Sequence, residues 1–423
     1  MRKLLFIAML LVPLSCDYHG TEPDAGLDDA QDAGGDDAGA ADDGGDIGGD
    51  DGGAGDDGIA DAGGDRVPAN RDLFILFMEP GSSEGGAWGK LMLASKLKGA
   101  VEWVVDPVDT GLYDSQFYTY ASLEIVLDSL GRPHAAYMAF AARQLRYTKF
   151  NGTEWVKADG TPGYDVVDND VFSYNAKHFI VLRDDRPHLA YRQDTNLVYY
   201  VWDGTSWNRE VALTLYPPTG EPNPGGGPAL FLDQSGEPHV AHHDHHEYRL
   251  HYAYRSSGVW HNELIDGGPT MVGQYKNITL DSQQHPHILF DEGYTRFDGT
   301  GWVNAAGDPG YDAFDCGFIS SAFSPNGEVV LGERLEEDLV LHRKSLDATA
   351  WEPGVTAFTG MSIVDIAVDE ENRVHLALTR ARESDSQELL YIYEGDGGWT
   401  TELVYFHDGF LRIVHPSLAL GSK

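Results

Sequence analysis

The sequence has few cysteines, few positive charges and no hydrophobic run long enough to span a membrane. Its 423 residues include two cysteines, which excludes a disulfide scaffold and a cysteine-rich metal site. Lys and Arg total 29 against 68 Asp and Glu, giving a formal net charge of −39. DNA, RNA and anionic lipid surfaces are bound through positive charge, so they are unsuitable main partners. The apolar run at residues 4–14 is shorter than the roughly 20 residues that a transmembrane helix needs.

The N-terminal segment is typical of an export signal. A positively charged start, Met1-Arg2-Lys3, precedes the apolar run, and Leu14-Ser15-Cys16 follows it. The Leu-Ser-Cys ending resembles the lipobox of bacterial lipoproteins, in which the cysteine is diacylated and becomes the new N-terminus. The resemblance implies a lipoprotein-type signal over residues 1–16 and lipidation of Cys16. The alternative is an ordinary cleaved secretory signal.

Residues 17–65 have the composition of a disordered acidic tether. They contain 16 Asp, one Glu and no Lys or Arg, and Gly and Ala make up nearly all the rest. Such a segment buries too little apolar surface to offset the entropy of ordering it, and its like charges repel one another. We therefore expect a flexible spacer between the anchor and a folded domain at residues 66–423.

The folded region is built from repeats. One sequence motif recurs. It consists of an apolar strand, an Asp-containing turn, Pro-His, a second apolar strand and a Tyr-rich third strand, and it ends with Asn/Asp-Gly and Trp. Seven tryptophans end the copies: Trp103, Trp155, Trp207, Trp260, Trp302, Trp351 and Trp399. Their separations are 52, 52, 53, 42, 49 and 48 residues. Each copy predicts four short strands, and Asn-Gly or Asp-Gly is a strong hairpin signal.

The first copy lacks its opening strand, and the end of the chain supplies it. Residues 71–79 match the second strand of a copy, whereas residues 416–421 match an opening strand. A repeat split between the two termini is what a closed ring requires, because pairing the two segments leaves no exposed edge. The sequence therefore predicts an all-β, seven-bladed β-propeller of four-stranded antiparallel blades, closed by the C-terminal strand in the N-terminal blade.

The repeats resemble the sialidase-like (BNR-type) propeller repeats of exported bacterial proteins. The resemblance covers residues 70–423 and rests on motifs such as LEIVLDSLGRPHAAY. It implies a propeller fold, export and surface display, and it does not imply hydrolysis. The arginine, tyrosine and glutamate signature of a true sialidase is missing from the sequence.

Residues that recur in the repeats are predicted to be structural. The histidines at one repeat position are expected to satisfy backbone groups at the start of a strand, and the tryptophans to fill the wedges between blades. The five histidines are His134, His188, His239, His287 and His375.

One histidine run occurs in a single copy. It comprises His242, His243, Asp244, His245, His246 and Glu247, which we place in the loop between the second and third strands of the fourth blade. Imidazole and carboxylate groups are ligands for Zn²⁺, Ni²⁺ or Cu²⁺. The run is a candidate metal site through the four histidines, with incidental surface histidines as the alternative.

The loops between second and third strands carry the candidate ligand-binding residues, because this face and the blade-to-blade loops usually form the binding surface of a propeller. Carboxylate, Tyr and Arg side chains suit recognition of a sugar or peptide. The principal candidates are Arg143, Asp194, Tyr294, Glu336, Arg380 and Arg382. Further residues of these loops are Asp291, Glu292 and Glu337, with Tyr174, Tyr275 and Lys276 from blade-to-blade loops.

These features favour a binding or scaffold propeller that recognises a glycan or a protein partner. We expect a monomer held at the outer membrane or cell surface, or facing the periplasm, that meets the membrane only through its lipid. No catalytic residue and no cofactor is assigned, apart from the divalent metal just considered. The alternative is an extracellular glycosidase or lyase whose two carboxylates converge in the central cavity.

Overall fold

The structure is a computed structural model. It describes residues 72–79, 88–97, 99–113, 122–169, 171, 178–193, 196–214, 227–243, 249–265, 276–291, 293–314, 318–360, 364–382, 386–408 and 413–421. These residues belong to one compact unit, Asp65–Lys423. The predictions for residues 1–65, including the lipidation of Cys16, concern residues outside the described ranges.

The described chain forms seven antiparallel sheets, which we number as blades. Blade 1 contains β1 (Leu73–Glu79), β2 (Trp88–Lys96) and β3 (Val104–Tyr113). Blade 2 contains β4 (Leu123–Leu127), β5 (Pro133–Ala139), β6 (Gln144–Phe150), β7 (Trp155–Val156) and β8 (Asp165–Asn169). Blade 3 contains β9 (His178–Arg183), β10 (Arg186–Gln193), β11 (Asn196–Trp202) and β12 (Trp207–Thr214). Blade 4 contains β13 (Ala229–Leu232), β14 (Pro238–His243), β15 (Leu250–Ser256) and β16 (Val259–Leu264).

The remaining blades follow the same order. Blade 5 contains β17 (Lys276–Leu280), β18 (Pro286–Phe290), β19 (Gly293–Phe297), β20 (Trp302–Val303) and β21 (Asp312–Ala313). Blade 6 contains β22 (Phe318–Phe323), β23 (Glu328–Leu335), β24 (Asp338–Ser345) and β25 (Val355–Thr359). Blade 7 contains β26 (Val364–Val368), β27 (Val374–Ala381), β28 (Ser386–Gly395) and β29 (Gly398–Asp408), and β30 (Val414–Leu420) returns to blade 1. The described residues include one 3-10 turn, Phe140–Ala142, and no α-helix.

The ring closes as the sequence predicts. Strand β30 pairs antiparallel with β1, with Leu420 opposite Leu73 and Leu418 opposite Ile75. The sheet order of blade 1 is accordingly β3-β2-β1-β30. The innermost strands of successive blades also contact one another around the whole circle, including β26 with β30 and β30 with β4. The seven-bladed propeller is therefore complete, and both segments of the split repeat contribute to one sheet.

Blades 2 and 5 depart from the four-strand pattern. In each, the outermost strand is interrupted by a turn, so that β8 pairs with β6 beyond β7, and β21 pairs with β19 beyond β20. The turns are similar: the hydroxyl of Thr148 donates to Val156 O and Gly163 O, and Thr295 repeats both bonds with Val303 and Gly310. Gly163 has a φ of 105°, which favours glycine over residues with a Cβ.

Aromatic pairs hold neighbouring blades together. A tyrosine on the third strand of one blade meets the edge of a tryptophan at or shortly before the start of the outermost strand of the next, with ring centroids 5.2 to 5.7 Å apart and planes at 68 to 88°. The pairs are Tyr147–Trp207, Tyr199–Trp260, Tyr252–Trp302, Tyr294–Trp351 and Tyr391–Trp103. Edge-to-face contacts of this kind add about 1 kcal/mol beyond the area they bury. The predicted position of these tryptophans between blades is confirmed.

The repeating histidines have a structural role, but their partners differ from the prediction. Nδ1 of His134 lies 2.6 Å from the Tyr147 hydroxyl, and its Nε2 faces Asp128 Oδ2 at 3.7 Å. The same Asp128 caps its turn, because Oδ1 accepts the N–H groups of Leu130 and Arg132. Each histidine therefore bonds side chains, not the backbone groups expected. This links the turn between strands 1 and 2 to the interblade aromatic pair.

Candidate functional site

The face of the propeller that the sequence favours for binding carries the starts of the innermost strands and the ends of the second strands. We call it the upper face. Strands 1 and 2 of a blade are antiparallel, so these ends lie together, and the turns that contain Asp128 and its equivalents lie on the opposite, lower face. Two features of the described residues are candidate binding sites: the central channel, whose lining reaches the lower-face turn at residues 324–327, and a groove beside blade 7.

The central channel is walled by the innermost strand of every blade. It encloses about 780 Å³. Its wall is largely apolar, with Leu123, Ile278 and Ile366 among the lining residues, and the acidic groups on it are Glu124 and Asp365. A wall of this composition offers few groups for proton transfer.

Both channel carboxylates bond the backbone of the next blade. Glu124 Oε2 accepts the N–H of Ile180 at 3.1 Å, and Asp365 Oδ2 accepts the N–H of Leu418 at 2.8 Å. Asp365 Oδ1 also accepts the hydroxyl of Ser320 at 3.2 Å. Burial raises the pKa of Asp365 to about 6, against the lowering effect of these hydrogen bonds. The carboxylates thus tie neighbouring inner strands together.

Two serines do the same elsewhere in the ring. Ser417 Oγ accepts the N–H of Ile125, and Ser320 Oγ accepts the N–H of Ile366, both at 3.2 Å. The donor in each case belongs to the innermost strand of the following blade. Since inner strands of adjacent blades are not paired as sheet neighbours, these side chains satisfy backbone donors that would otherwise face the channel.

The groove beside blade 7 brings together two of the predicted arginines. Arg380 donates to Glu388 Oε2 through Nε at 2.9 Å and through Nη2 at 2.5 Å. Arg382 donates from Nη2 to the other oxygen, Oε1, at 2.6 Å. The Glu388 side chain is 8% exposed, whereas that of Arg382 is 52% exposed. Hydrogen bonds from Arg382 contribute most to lowering the pKa of Glu388, so the carboxylate is ionised between two cations.

An aromatic side chain borders the same groove. Glu388 lies opposite Arg380 across β27–β28 and opposite Phe406 across β28–β29. Phe406 is 50% exposed although it is a large apolar residue. With Ser386, Arg382 and Glu388 it lines a cavity of about 400 Å³. The pairing of three strands thus places a guanidinium, a carboxylate and a phenyl ring in one row on the face of blade 7 that packs against blade 6.

Two predicted residues lie in exposed loops as expected. Arg143 follows the 3-10 turn of blade 2 with a φ of 52°, and Glu336 lies in the turn between β23 and β24 with a φ of 58°. Backbone groups of both take part in the loop, since Arg143 O accepts the N–H of Val171, and Glu336 O accepts Nε of Arg334. They belong to blades 2 and 6, away from the arginine pair on blade 7.

Tyr294 is not a loop residue. It lies within β19, its side chain is fully buried, and its hydroxyl is 2.6 Å from His287 Nδ1. Lys344 Nζ of blade 6 donates to the same hydroxyl at 3.3 Å and lies 4.6 Å from the ring centroid. Tyr294 therefore belongs to the wedge between blades 5 and 6, and it cannot contact a ligand on the upper face.

The histidine run begins inside a strand. His242 and His243 are the last residues of β14 and are buried, and His242 Nε2 lies 3.0 Å from Asn262 Oδ1. This corrects their placement in a loop. Within the part of the chain that the structure describes, no group of three or more His, Cys, Asp or Glu residues is arranged to hold a metal ion. The predicted residues outside the described ranges are Asp194, His245, His246, Asp244, Glu247, Glu292, Tyr174 and Tyr275.

The sequence analysis missed Glu388 and Phe406. Their signal is a charged residue at an inward position beside Leu389 and Leu390, and a large aromatic on the outer strand. Neither departs enough from the repeat to be noticed without knowing which residues pair.

Among the described residues, no helix is long and apolar enough to cross a bilayer.

Comparison with known proteins assigns the chain to no family. No protein-family model and no curated protein matches the chain. The solved structures that resemble it include the SapL1 lectin in complex with alpha methyl fucoside, at 12% identity and a TM-score of 0.46 over 68% of this chain and 97% of the lectin. A polysaccharide lyase, an ulvan lyase, aligns at 11% identity and a TM-score of 0.44 over 69% of this chain and 84% of the lyase. A protein of unknown function from Dyadobacter fermentans aligns at 14% identity and a TM-score of 0.39 over 69% of this chain and 95% of its own. At these identities and TM-scores the likeness assigns no function to this chain.

Proposed function

We propose that this protein is an exported, monomeric binding propeller that recognises a glycan through its upper face. The observation that carries the proposal is the groove beside blade 7, where Arg380, Glu388 and the half-exposed Phe406 lie in one row and the exposed guanidinium of Arg382 lines the same cavity. Sugar recognition combines polar groups that fix hydroxyls or acids with an apolar surface for the C–H face of the ring. A protein partner is the alternative that the experiment below separates.

Binding is favoured over cleavage by the state of the channel carboxylates. A glycosidase in the central cavity needs two carboxyl groups roughly 5 to 10 Å apart that are free to act on the substrate, and we predicted the same pair for a lyase. Glu124 and Asp365 instead accept backbone N–H groups of the neighbouring blade. Their hydrogen bonds give them a structural task in the ring, so the channel has little support as a reaction centre.

We further propose the domain arrangement that the sequence predicts: a signal over residues 1–16, a lipid on Cys16, an acidic spacer over residues 17–65 and the propeller from residue 66. The lipid would hold the protein at the outer membrane or cell surface. A Cys16→Ser variant tests this part. We expect the native chain to partition with membranes and to shift into detergent, and the variant to be found in the aqueous fraction.

The binding proposal is tested with the purified full chain on an array of bacterial, algal and plant glycans. We expect retention of at least one glycan class, and a loss of about tenfold in affinity in Phe406→Ala, since losing an apolar contact of about 1.4 kcal/mol changes Kd tenfold. Val259→Ala is the matched control, because Val259 is an exposed apolar residue on the outer strand of blade 4. Retention of no glycan, together with capture of a defined protein, would reject the glycan in favour of the protein partner.

A further inference from the structure

We infer that the groove beside blade 7 binds the carboxylate of an acidic sugar, with the Arg382 guanidinium as its direct partner and Phe406 beneath the sugar ring. This inference rests on the proposed function and names the ligand class for the same site. It follows from how the two arginines and one glutamate share their hydrogen bonds.

Arg380 is committed to Glu388, and Arg382 is not. Two N–H groups of Arg380 reach a single oxygen of Glu388, and its guanidinium lies 5.9 Å from the ring centroid of Phe358. Arg382 gives one N–H to Glu388 Oε1. A guanidinium has five N–H donors in a planar fork, so Arg382 retains an edge for a second carboxylate. Glu388, which is nearly buried, fixes the orientation of that edge.

The described charged groups of the cluster favour an anion. Two guanidiniums and one carboxylate give these groups a balance of +1, within a chain of formal net charge −39; Glu383 and Asp385, between Arg382 and Ser386 in the sequence, lie outside the described residues. A single carboxylate would neutralise the cluster, and guanidinium–carboxylate pairs form two parallel hydrogen bonds. A neutral sugar would leave the positive charge of the exposed Arg382 without a second partner.

The phenyl ring explains why the anion should be carried by a sugar. Phe406 stands directly opposite Glu388 in the β28–β29 pair and borders the same cavity of about 400 Å³. Phe406 and the guanidinium that Glu388 orients thus line one cavity. A uronic acid presents both a carboxylate and an apolar ring face to such a pair, whereas inorganic anions use the arginine alone.

The overall acidity of the chain predicts an unusual salt dependence. An acidic ligand is repelled at long range and attracted at contact, and charges are screened beyond about 8 Å at physiological ionic strength. Added salt should therefore weaken the repulsion more than the partly buried contact. We expect the affinity for a uronic acid oligomer to stay constant or rise between 50 and 300 mM NaCl, the reverse of binding to a broadly basic surface.

The experiment compares oligogalacturonate with its fully methyl-esterified form, which keeps the sugar rings and removes the charge. Calorimetry on the purified full chain should give at least about tenfold tighter binding of the acid. Arg382→Gln should abolish this preference, while Phe406→Ala should weaken both ligands by a similar factor. Arg186→Gln, an exposed arginine at the lower-face end of β10, makes the same charge change and should alter neither. A sulfated galactan oligomer distinguishes a carboxylate from a sulfate ester.

The outcomes separate this inference from the proposed function. Equal affinity for acid and ester, tighter binding of the sulfated oligomer, or an Arg382→Gln variant that keeps the preference overturns the inference. If glycans bind without regard to charge, the binding function stands and the acidic-sugar assignment falls. If no glycan binds the folded chain, both fall. Thermal melting of each variant confirms that the fold is intact, which is expected because both Arg382 and Phe406 are at least half exposed.

Discussion

Replacing Asp365 with Asn should stabilise the protein above pH 6 and have little effect near pH 3.5. Burial beside the channel raises the pKa of Asp365 from 3.8 to about 6. The folded state therefore binds more protons than the unfolded state between about pH 4 and pH 6, and the carboxyl group lowers stability as pH rises through that window. The Asn amide remains neutral at every pH, so it avoids this cost.

The size of the effect follows from the shift. A displacement of about two pKa units corresponds to about 3 kcal/mol at 1.36 kcal/mol per unit. Asp365 also lines a channel that solvent can enter, and solvation of the charge reduces the cost. We expect Asp365→Asn to raise the free energy of unfolding by about 1 to 3 kcal/mol at pH 8. The amide oxygen can still accept the Leu418 N–H, so the contact between blades 7 and 1 is kept.

The assay is urea denaturation of the native chain and the variant at pH 3.5, 5, 6.5 and 8, followed by tryptophan fluorescence. Asp298→Asn is the matched control, because the Thr300 hydroxyl and nearby N–H groups lower the pKa of this exposed turn carboxylate. Asp298→Asn should therefore lower the free energy of unfolding at pH 8, where Asp365→Asn raises it. If the free energy of unfolding of Asp365→Asn differed from that of the native chain by the same amount at every pH, or were lower at pH 8, the reasoning that burial of the Asp365 carboxylate destabilises the folded ring would be refuted.

Three further predictions concern the blades. Burial lowers the pKa of Lys344 to about 8, so the unfolded state binds more protons than the folded state between about pH 8 and 10.5. Replacing this cation in Lys344→Met should therefore raise the free energy of unfolding by about 2 kcal/mol at pH 7 and by nothing at pH 11. Urea titrations at the two pH values measure this difference. Tyr147→Phe leaves His134 Nδ1 buried without its 2.6 Å partner and should cost about 1 to 3 kcal/mol; a loss below about 0.5 kcal/mol in chemical denaturation would argue against the link. Truncation after Ile413 removes β30 and should broaden or abolish the calorimetric melting transition, whereas removal of residues 422–423 alone should leave it sharp.

The repeat made the architecture predictable. Trp103, Trp155 and their equivalents recur because every blade has the same wedge to fill, so a local pattern reports a global fold. Ring closure was predictable for the same reason: residues 416–421 match an opening strand, and β1 has no other partner on its inner side. Hairpin turns and alternating apolar residues are short-range signals, and they hold in the structure.

The candidate site was predictable only in part. Arg380 and Arg382 were predicted in the loop between a second and a third strand. Arg382 follows β27 as predicted, but Arg380 lies within β27, and Glu388 and Phe406, which complete the groove, were not predicted. His242 and His243 were placed in a loop because the sequence does not mark where β14 ends. The wrong placement of Tyr294 in a loop has the same cause: the connection between β18 and β19 has only two residues, as in blades 3 and 6, and the sequence does not mark where β19 starts.

The sequence by itself determined the number of blades, the closing strand and the acidity of the chain, because these depend on composition and on patterns within about 50 residues. Only the tertiary structure decided which charged side chains form hydrogen bonds between blades and which remain exposed. Asp365 and Arg382 look alike as charged residues in a sequence. One accepts a backbone N–H across an interblade boundary, and the other keeps most of its donors at the surface. That difference arises from strands far apart in the chain, whose register no local pattern records.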